Sequence, residues 1–266
     1  MGGPPAALPL CPLYLAVSSP PMPRRIPSNA LAFKRRLLKW FRSEGRDLPW
    51  RRTRDPYRVL VSEFMLQQTQ VSRVSEFYPR FLDRFPTIES LAEARPIRVR
   101  EAWDGLGYYR RAANLHRLAR VVVDDHDGVI PDNTAMLSDL PGVGRYTAGA
   151  VANFAYEKRT AAVDTNVTRV LRRVFRIGGG RLTERQDGIT AERAIWELAE
   201  RLLPKRRRTA WEFNQALMDL GARYCTARSP KCSTCPVRPT CRTGSRTPWT
   251  RHPAPCIRDS NHTSNT

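Results

Sequence analysis

Apolar residues recur every three or four positions along most of the chain between residues 30 and 242, which places them on one face of a helix. Prolines and glycines separate these segments, and the short valine-rich runs are too isolated to indicate a sheet. The pattern therefore predicts an all-α fold. The predicted helices are Leu31–Phe41, Tyr57–Gln70, Val71–Phe85, Arg110–Val123, Tyr146–Tyr156, Val167–Phe175, Ala191–Leu203 and Trp211–Leu220.

The two ends of the chain lack this periodicity. Residues 1–29 are rich in proline and residues 243–266 in Ser, Thr, Asn and Arg, which predicts a disordered leader and a disordered tail. No stretch approaches the roughly 20 consecutive apolar residues of a membrane span, so we expect no membrane association. Of the 6 cysteines, two lie in the ends (Cys11 and Cys256), which favours a reducing cytoplasm over a disulfide framework.

The charge of the chain points to its partner. Lys and Arg number 45 against 25 Asp and Glu, a formal net charge of +20. An excess of this size favours a polyanion, with nucleic acid first, although an Arg-rich surface without such a partner is the alternative. The expected localisation is therefore cytoplasmic and nucleoid-associated.

Four further cysteines lie within seventeen residues, after the last predicted helix. Their spacing is C-x6-C-x2-C-x5-C, and only the middle pair has the short form that is usual in zinc sites. Iron–sulfur clusters are also held by four thiolates, with more varied spacing, so the pattern favours a cluster over zinc and over two disulfides. The candidate ligands are Cys225, Cys232, Cys235 and Cys241.

The segment LPGVGRYT, residues 140–147, is predicted to be a tight turn between two helices. Pro141 ends the first helix, and Gly142 and Gly144 permit left-handed backbone conformations. The next helix then begins with free amides, which bind anions such as a DNA phosphate, with Arg145 beside them. A plain corner between two helices is the alternative.

Two carboxylates are candidates for chemistry. Asp164 precedes a helical run and is expected to be its N-cap, where the helix terminus favours the ionised form. Glu63 lies in an apolar helix without a basic residue three or four positions away, and burial would raise its pKa; a solvated or ion-paired Glu63 is the alternative. One protonated and one ionised carboxyl form the pair that cleaves glycosidic bonds.

Together, the turn LPGVGRYTAGAV, the segment VDTNV and the cysteine spacing resemble the helix-hairpin-helix DNA glycosylases that carry a [4Fe-4S] cluster. The stretches RDLPWR, SEFMLQQTQV and GLGYYRRAANLH are similar to MutY adenine DNA glycosylases, which remove adenine mispaired with 8-oxoguanine or guanine. The resemblance covers residues 30 to 242. It implies a [4Fe-4S] cluster on the four cysteines, a mismatched DNA duplex as partner and a monomeric enzyme.

The resemblance also implies a role for each matching residue. Glu63 would protonate adenine and Asp164 would stabilise the sugar cation, with Tyr146 and Asn166 positioning them. The pocket for the extruded base would be lined by Arg46, Trp50, Arg51, Leu66 and Gln215. Gln68 and one of Tyr108 and Tyr109 would wedge into the duplex, while Gly142, Gly144 and Arg145 would bind its phosphates. Further phosphate contacts are expected from Arg223, Arg228, Lys231 and Arg238. The basic run Lys205–Arg208 is either a DNA contact or a solvated loop.

Two helical halves flanking a DNA groove are the implied architecture. Residues 53–160 would form a helical barrel with the hairpin, while residues 30–52 and 161–242 would form the cluster half. Where bifunctional relatives carry a nucleophilic lysine, this chain has Tyr146, which cannot form an imine, so a monofunctional glycosylase is expected.

The resemblance leaves two other functions open. Typical MutY proteins continue into a β-rich domain that checks for 8-oxoguanine, whereas about 25 residues follow Cys241 here, so we expect a loose opposite-base preference. Short relatives that remove thymine or uracil opposite guanine are therefore the alternative. A non-catalytic or redox-regulated DNA-binding protein is a third hypothesis, which the presence of both carboxylates disfavours.

Overall fold

The computed structural model describes residues 26–177, 185–186 and 189–244. Within these residues the chain forms α-helices joined by short turns, which confirms the all-α class. The helices are α1 (Ala30–Glu44), α2 (Pro56–Leu66), α3 (Val71–Arg84), α4 (Ile88–Ala92), α5 (Pro96–Ala102), α6 (Arg110–Asp125), α7 (Thr134–Asp139), α8 (Arg145–Phe154), α9 (Thr165–Phe175), α10 (Ala191–Leu202) and α11 (Arg207–Arg223). Single 3₁₀ turns occupy Pro49–Arg51, Cys232–Thr234 and Arg238–Thr240.

In the described part of the chain, the remaining regular structure is one antiparallel pair of two-residue strands, β1 (Arg185–Gln186) and β2 (Ile189–Thr190). Most of the predicted leader and tail, and the glycine run 178–180, lie outside the described residues. None of the described helices is both long enough and apolar enough to cross a membrane.

Several helices begin at the residues that the sequence marks for capping. Asp55 accepts hydrogen bonds from the amides of Tyr57 and Arg58, and Pro56 starts α2 without a donor to satisfy. Thr87 forms a reciprocal capping box with Ser90 at the start of α4. These local contacts fix where α2, which carries Glu63, and α4 begin.

Two hydrophobic clusters form the interior. One contains the buried faces of α2 to α8, with Phe64 and Trp103 among its largest fully buried side chains. The other joins α1 to α9, α10 and α11, and Phe33 contacts both Phe175 and Phe213 edge to face within it. The division of the chain into two halves at residues 53 and 161 stays a prediction.

A buried amide network connects the helices of the two clusters. The Asn214 amide on α11 donates to the Asn153 side chain on α8 at 2.9 Å and to the Thr160 carbonyl at 2.9 Å. Asn153 in turn donates to the Lys158 carbonyl at 2.8 Å, and the Ala162 amide donates to Asn214 at 3.4 Å. Because buried amides are costly when unpaired, this network fixes how α8 meets α11.

The predicted helix ends differ from the structure most where the chain meets the site. The expected helix Tyr57–Gln70 ends at Leu66, and the following turn contains Gln68 in a left-handed conformation with φ 57°. The short helices α4, α5 and α7 were not predicted, because five to seven residues are too few for a helical period to be recognised.

Candidate active site and cysteine cluster

Glu63 lies on α2 and is buried, with 4% of its surface exposed. Its neighbours along the helix are apolar, and its Oε2 atom has no hydrogen-bond partner in the described part of the chain. Burial raises the pKa of Glu63 to about 7, while the Tyr146 hydroxyl opposes the shift and the Asp164 charge adds to it. The carboxyl therefore holds a proton near neutrality.

Asp164 is the N-cap of α9, as the sequence predicts. Its Oδ1 accepts a hydrogen bond from the Val167 amide at 2.7 Å, and its Oδ2 accepts one from the Asn166 side chain at 2.8 Å. Both contacts fix the orientation of this carboxyl at the N-terminal end of α9. The charge lies close enough to Glu63 to raise the pKa of that residue.

Tyr146 stands between the two carboxylates, in the first turn of α8. Burial raises its pKa well above the ordinary value, and the negative charges of Glu63 and Asp164 raise it further. Its hydroxyl therefore stays protonated, and it donates to the Met218 sulfur at 3.9 Å. Helices α2, α8 and α9 thus bring Glu63, Tyr146, Asp164 and Asn166 together; the catalytic roles of these residues stay predictions.

Two of the predicted pocket residues, Arg46 and Arg51, bind a carboxylate that sequence reasoning missed. Asp219 on α11 is fully buried and lies 2.7 Å from Arg46 Nη2 and 2.8 Å from Arg51 Nη2. Burial alone would raise the pKa of Asp219, but hydrogen bonds from Arg51 and Arg46 outweigh it and lower the pKa. The available signal was that Asp219 follows Gln215 by four positions, which puts both on one helix face.

The other predicted pocket residues are also buried or partly buried. Gln215 is 5% exposed, and its amide makes no hydrogen bond within the described residues, so it can serve a ligand. Trp50 packs edge to face on Tyr78 in the first hydrophobic cluster, and Leu66 ends α2 at the edge of that cluster. Their contact with a base stays a prediction.

The residues predicted to enter the duplex occupy two exposed turns. Gln68 is exposed, and so are Tyr108 at 60% and Tyr109 at 38%. Gln68 and Tyr108 both have a positive φ, of 57° and 48°. Such conformations are rare in residues other than glycine and cluster at functional sites.

The predicted phosphate turn separates α7 from α8. Gly142 has φ 78°, and a Cβ there would come within 2.8 Å of Asn114, so the position requires glycine. Gly144 has an ordinary φ of −93° and is the N-cap of α8, so the expected left-handed role is wrong for this residue. No side chain caps α8, which leaves its first amides open to an anion. Arg145 stacks over Trp196 at 3.9 Å.

Some of the other basic residues already have partners within the protein. Arg223 lies over the Trp40 ring at 5.4 Å and donates to the Glu44 carbonyl at 2.5 Å. Arg208, at the end of the basic run, stacks on Trp211 at 5.0 Å. The expected contacts of these side chains with DNA stay predictions.

The four candidate ligands, Cys225, Cys232, Cys235 and Cys241, line one cavity after α11. All four are free thiols, so the disulfide alternative is wrong. Among the described residues, no group of three or more His, Cys, Asp or Glu side chains is arranged to hold a single metal ion. A [4Fe-4S] cluster, whose irons separate the sulfur ligands, fits this set of donors.

Burial raises the pKa of the Cys235 thiol to about 11, and the other three cysteines contribute to the shift. Four sulfurs that line one cavity form a donor set that suits a cationic centre. Two donors also approach the sulfurs: Arg173 Nη1 lies 3.4 Å from Cys225 Sγ, and the Gly244 amide lies 3.3 Å from Cys241 Sγ. Such contacts stabilise charged ligands of a cluster.

A chain of hydrogen bonds runs from the cysteine segment to Asp164. Arg169 Nε donates to the Cys225 carbonyl at 2.6 Å, and its Nη2 donates to the Asn166 side chain at 2.7 Å. Asn166 then donates to Asp164. The cysteine segment therefore contributes to the orientation of the carboxylate, a link for which the sequence held no signal.

Comparison with protein families agrees with this arrangement. Residues 61–201 match the HhH-GPD superfamily of base excision DNA repair proteins, and residues 225–241 match the iron-sulfur binding domain of endonuclease III. The first match contains Glu63, Tyr146 and Asp164, and the second begins and ends at the outer cysteines. The cofactor assigned to these cysteines is accordingly a [4Fe-4S] cluster.

Curated relatives include the adenine DNA glycosylase of Rattus norvegicus, 43% identical over 82% of this chain. The adenine DNA glycosylase of Mycobacterium tuberculosis (strain CDC 1551 / Oshkosh) is 48% identical over 76% of it. The chain spans 43% and 64% of the length of these two proteins.

Among solved structures, a thermostable thymine-DNA glycosylase matches 82% of this chain and 98% of its own, with 35% identity and a TM-score of 0.72. A trapped endonuclease III–DNA covalent intermediate, at 24% identity and a TM-score of 0.67, shares the fold. By the match of its central residues, the chain belongs to the HhH-GPD superfamily of base excision DNA repair proteins.

Proposed function

We propose that this chain is a monofunctional DNA glycosylase that removes adenine mispaired with 8-oxoguanine or guanine. The observation that carries the proposal is the pair of carboxyls with opposite environments: Glu63 is buried with a pKa of about 7, and Asp164 is held by a helix terminus. Hydrolysis of a glycosidic bond requires a proton donor for the leaving base and a second carboxyl for the sugar cation, and these two carboxyls lie together in the site. The adenine DNA glycosylases among its relatives support the choice of base.

In the proposed reaction the Glu63 carboxyl donates its proton to N7 of the extruded adenine. The bond between N9 and C1′ then breaks, its electron pair leaves with the base, and the Asp164 carboxylate stabilises the sugar cation. Water adds to C1′ and gives a proton to the Glu63 carboxylate, which restores the starting state. Tyr146 keeps its proton and cannot attack C1′ as an amine would, so the product is an intact abasic strand.

The Gln215 amide and the pair of arginines bound to Asp219 support recognition of the base. The Gln215 amide can both donate and accept, as an adenine edge requires, and it is free of protein partners in the described residues. Arg46 and Arg51 are held by Asp219 and would form a rigid wall beside it. When bound, the [4Fe-4S] cluster would fix the segment of Cys225 to Cys241 against α9, and the hydrolysis needs no electron from it.

The partner in this proposal is double-stranded DNA with a mismatched base. The net charge of +20 and the open amides of α8 would hold its phosphates, so binding is expected to weaken as salt is raised. Two helical halves, one of residues 53–160 and the other of residues 30–52 and 161–242, would border the groove. A monomeric state and a nucleoid-associated, cytoplasmic location belong to the same proposal.

A second candidate is removal of thymine or uracil opposite guanine. The observation that favours it is the match to the thymine-DNA glycosylase structure over 98% of that chain. Glu63 and Gln215 favour adenine instead, because a purine offers a basic ring nitrogen to an acid and two polar edge groups to an amide.

The experiment that separates these candidates uses four duplexes of one sequence that carry A:8-oxoguanine, A:G, T:G or U:G. The cluster-loaded protein is incubated with each duplex, and strand breaks are measured with and without alkali. We expect breaks after alkali only, in the adenine strand. Breaks in the T:G and U:G duplexes would establish the pyrimidine enzyme, and breaks without alkali would contradict a monofunctional mechanism.

A Glu63→Gln variant serves as the matched control, because it keeps the shape of the side chain and removes its acid. We expect it to bind the A:8-oxoguanine duplex but to release base at least about a hundredfold more slowly. Binding without base release by both wild type and variant would support the non-catalytic alternative.

A further inference from the structure

Arg111, on α6, is a buried cation that the proposed chemistry does not use. Arg111 is 7% exposed. Within the described residues it forms no ion pair with a carboxylate, and its Nη atoms donate to backbone carbonyls. A buried guanidinium without a counter-ion is costly, and burial lowers the pKa of Arg111. The hydrogen bonds of the guanidinium must therefore offset the free-energy cost of its burial.

The first set of contacts holds the turn that follows α2. Arg111 Nη1 lies 3.0 Å from the Phe64 carbonyl and 2.7 Å from the Met65 carbonyl, and it also donates to the Gln67 carbonyl. These carbonyls end the helix that carries Glu63 and have no helical partner of their own. The next residue is Gln68, whose φ is 57°.

The second set of contacts holds the turn before α6. Arg111 Nη2 donates to the Leu106 carbonyl at 3.2 Å and to the Gly107 carbonyl at 3.1 Å. The next residue is Tyr108, with φ 48°, and the guanidinium carbon lies 5.4 Å from the centre of its ring. One guanidinium thus joins the two exposed, strained turns.

Tyr108, rather than Tyr109, can project from the protein surface. Tyr109 hydrogen-bonds to Asp104 and lies under Arg100, which restrain it. Tyr108 is 60% exposed, and its ring contact is with Arg111. A side chain that is exposed, aromatic and fixed at its backbone is suited to insertion between bases.

We propose that Arg111 is a positioning residue that joins these turns, so that Gln68 and Tyr108 enter the duplex as one preformed wedge. This inference rests on the proposed function, because the wedge acts only where a base is extruded. Gln68 and Tyr108 already have their left-handed backbone conformations in the free protein. Binding to DNA therefore does not include the entropy cost of ordering the two turns. Because Arg111 also binds the end of α2, it fixes the position of the wedge relative to Glu63 on that helix.

The test compares Arg111→Met with Arg110→Met, its exposed neighbour, in the cluster-loaded protein. Single-turnover base release is measured on an A:8-oxoguanine duplex and on a duplex whose adenine faces an abasic-site analogue between flanking mismatches. The second substrate has its adenine unstacked in advance and needs little wedge action. Thermal unfolding and visible cluster absorbance report whether each variant is folded and loaded.

We expect Arg111→Met to slow base release from the paired duplex roughly ten- to a hundredfold and to lose most of this defect on the opened duplex. Arg110→Met should change both rates less than about threefold. On a Tyr108→Ser background, Arg111→Met should add little further defect, because the two residues act as one unit. Arg111→Lys, which can reach one turn only, should show the same substrate dependence.

Equal slowing on both duplexes, or full additivity with Tyr108→Ser, would mean that Arg111 has a structural role and would overturn the inference. If Arg111→Met does not fold, the Arg111→Lys comparison decides by the same criterion. Wild-type protein that releases no base from any duplex would instead refute the proposed function, so the two failures are distinguishable.

Discussion

The protonation of Glu63 can be tested by stability alone, without DNA. Burial raises the pKa of this carboxyl from 4.5 to about 7, so the folded protein binds its proton more tightly than the unfolded chain does. The resulting stabilisation is complete below about pH 4.5 and is lost as the pH rises through about 7. A shift of this size corresponds to about 3 kcal/mol in total, most of which falls between pH 5 and pH 8.

The Glu63→Gln variant has no proton to lose at this site, and its amide resembles the protonated acid in shape. The free energy of unfolding of the variant, minus that of the wild type, should therefore rise by about 2 to 3 kcal/mol from pH 5 to pH 8. Urea unfolding followed by circular dichroism measures this difference, with Glu76→Gln as the control because Glu76 is exposed. A difference that does not change with pH would show that Glu63 is already ionised at pH 5 and would refute the general-acid argument.

The remaining predictions concern activity and the charges around the site. Base release from the A:8-oxoguanine duplex should fall about tenfold per pH unit above pH 7, because the acid form of Glu63 is lost; a rate independent of pH from 6 to 9 would contradict this. Asp219→Asn should lose roughly 3–5 kcal/mol in urea unfolding, because the buried Arg51 and the partly buried Arg46 lose their partner, whereas exposed Asp83→Asn should lose less than about 0.5 kcal/mol. Arg169→Gln should slow single-turnover base release roughly tenfold while visible absorbance shows a retained cluster, and an unchanged rate would show that the link from Cys225 to Asp164 is dispensable.

The parts of this fold that the sequence predicts are those encoded locally. Long amphipathic helices, the N-cap at Asp164 and the turn at Gly142 each depend on residues within one or two helical turns. The end of α2 was misplaced because no proline or glycine stands between Leu66 and Gln70 to end the helix, whereas Arg111, more than forty positions away, binds the carbonyls of Met65 and Gln67. A contact at that sequence distance leaves no periodic signal.

In the candidate site, too, the residues that can be predicted are those whose surroundings are local in the sequence. Glu63 and Asp164 could be identified from their apolar and capping surroundings, which are local. Asp219 could not, because its importance comes from Arg46 and Arg51, which lie about 170 positions earlier in the chain. Without these two partners, Asp219 reads as an ordinary acidic residue on an amphipathic helix.

The position of Asp219 explains how one site keeps a protonated acid beside buried arginines. The positive charge of Arg51 lowers the pKa of Glu63 and, alone, would oppose its role as an acid. Asp219 neutralises part of that charge at 2.8 Å, while Asp164 acts in the opposite direction to Arg51. The pKa of about 7 is therefore a balance between burial, the Tyr146 hydroxyl and the charges of Asp164 and Arg51. Loss of Asp219, which neutralises part of the Arg51 charge, should lower the pKa of Glu63 as well as destabilise the protein.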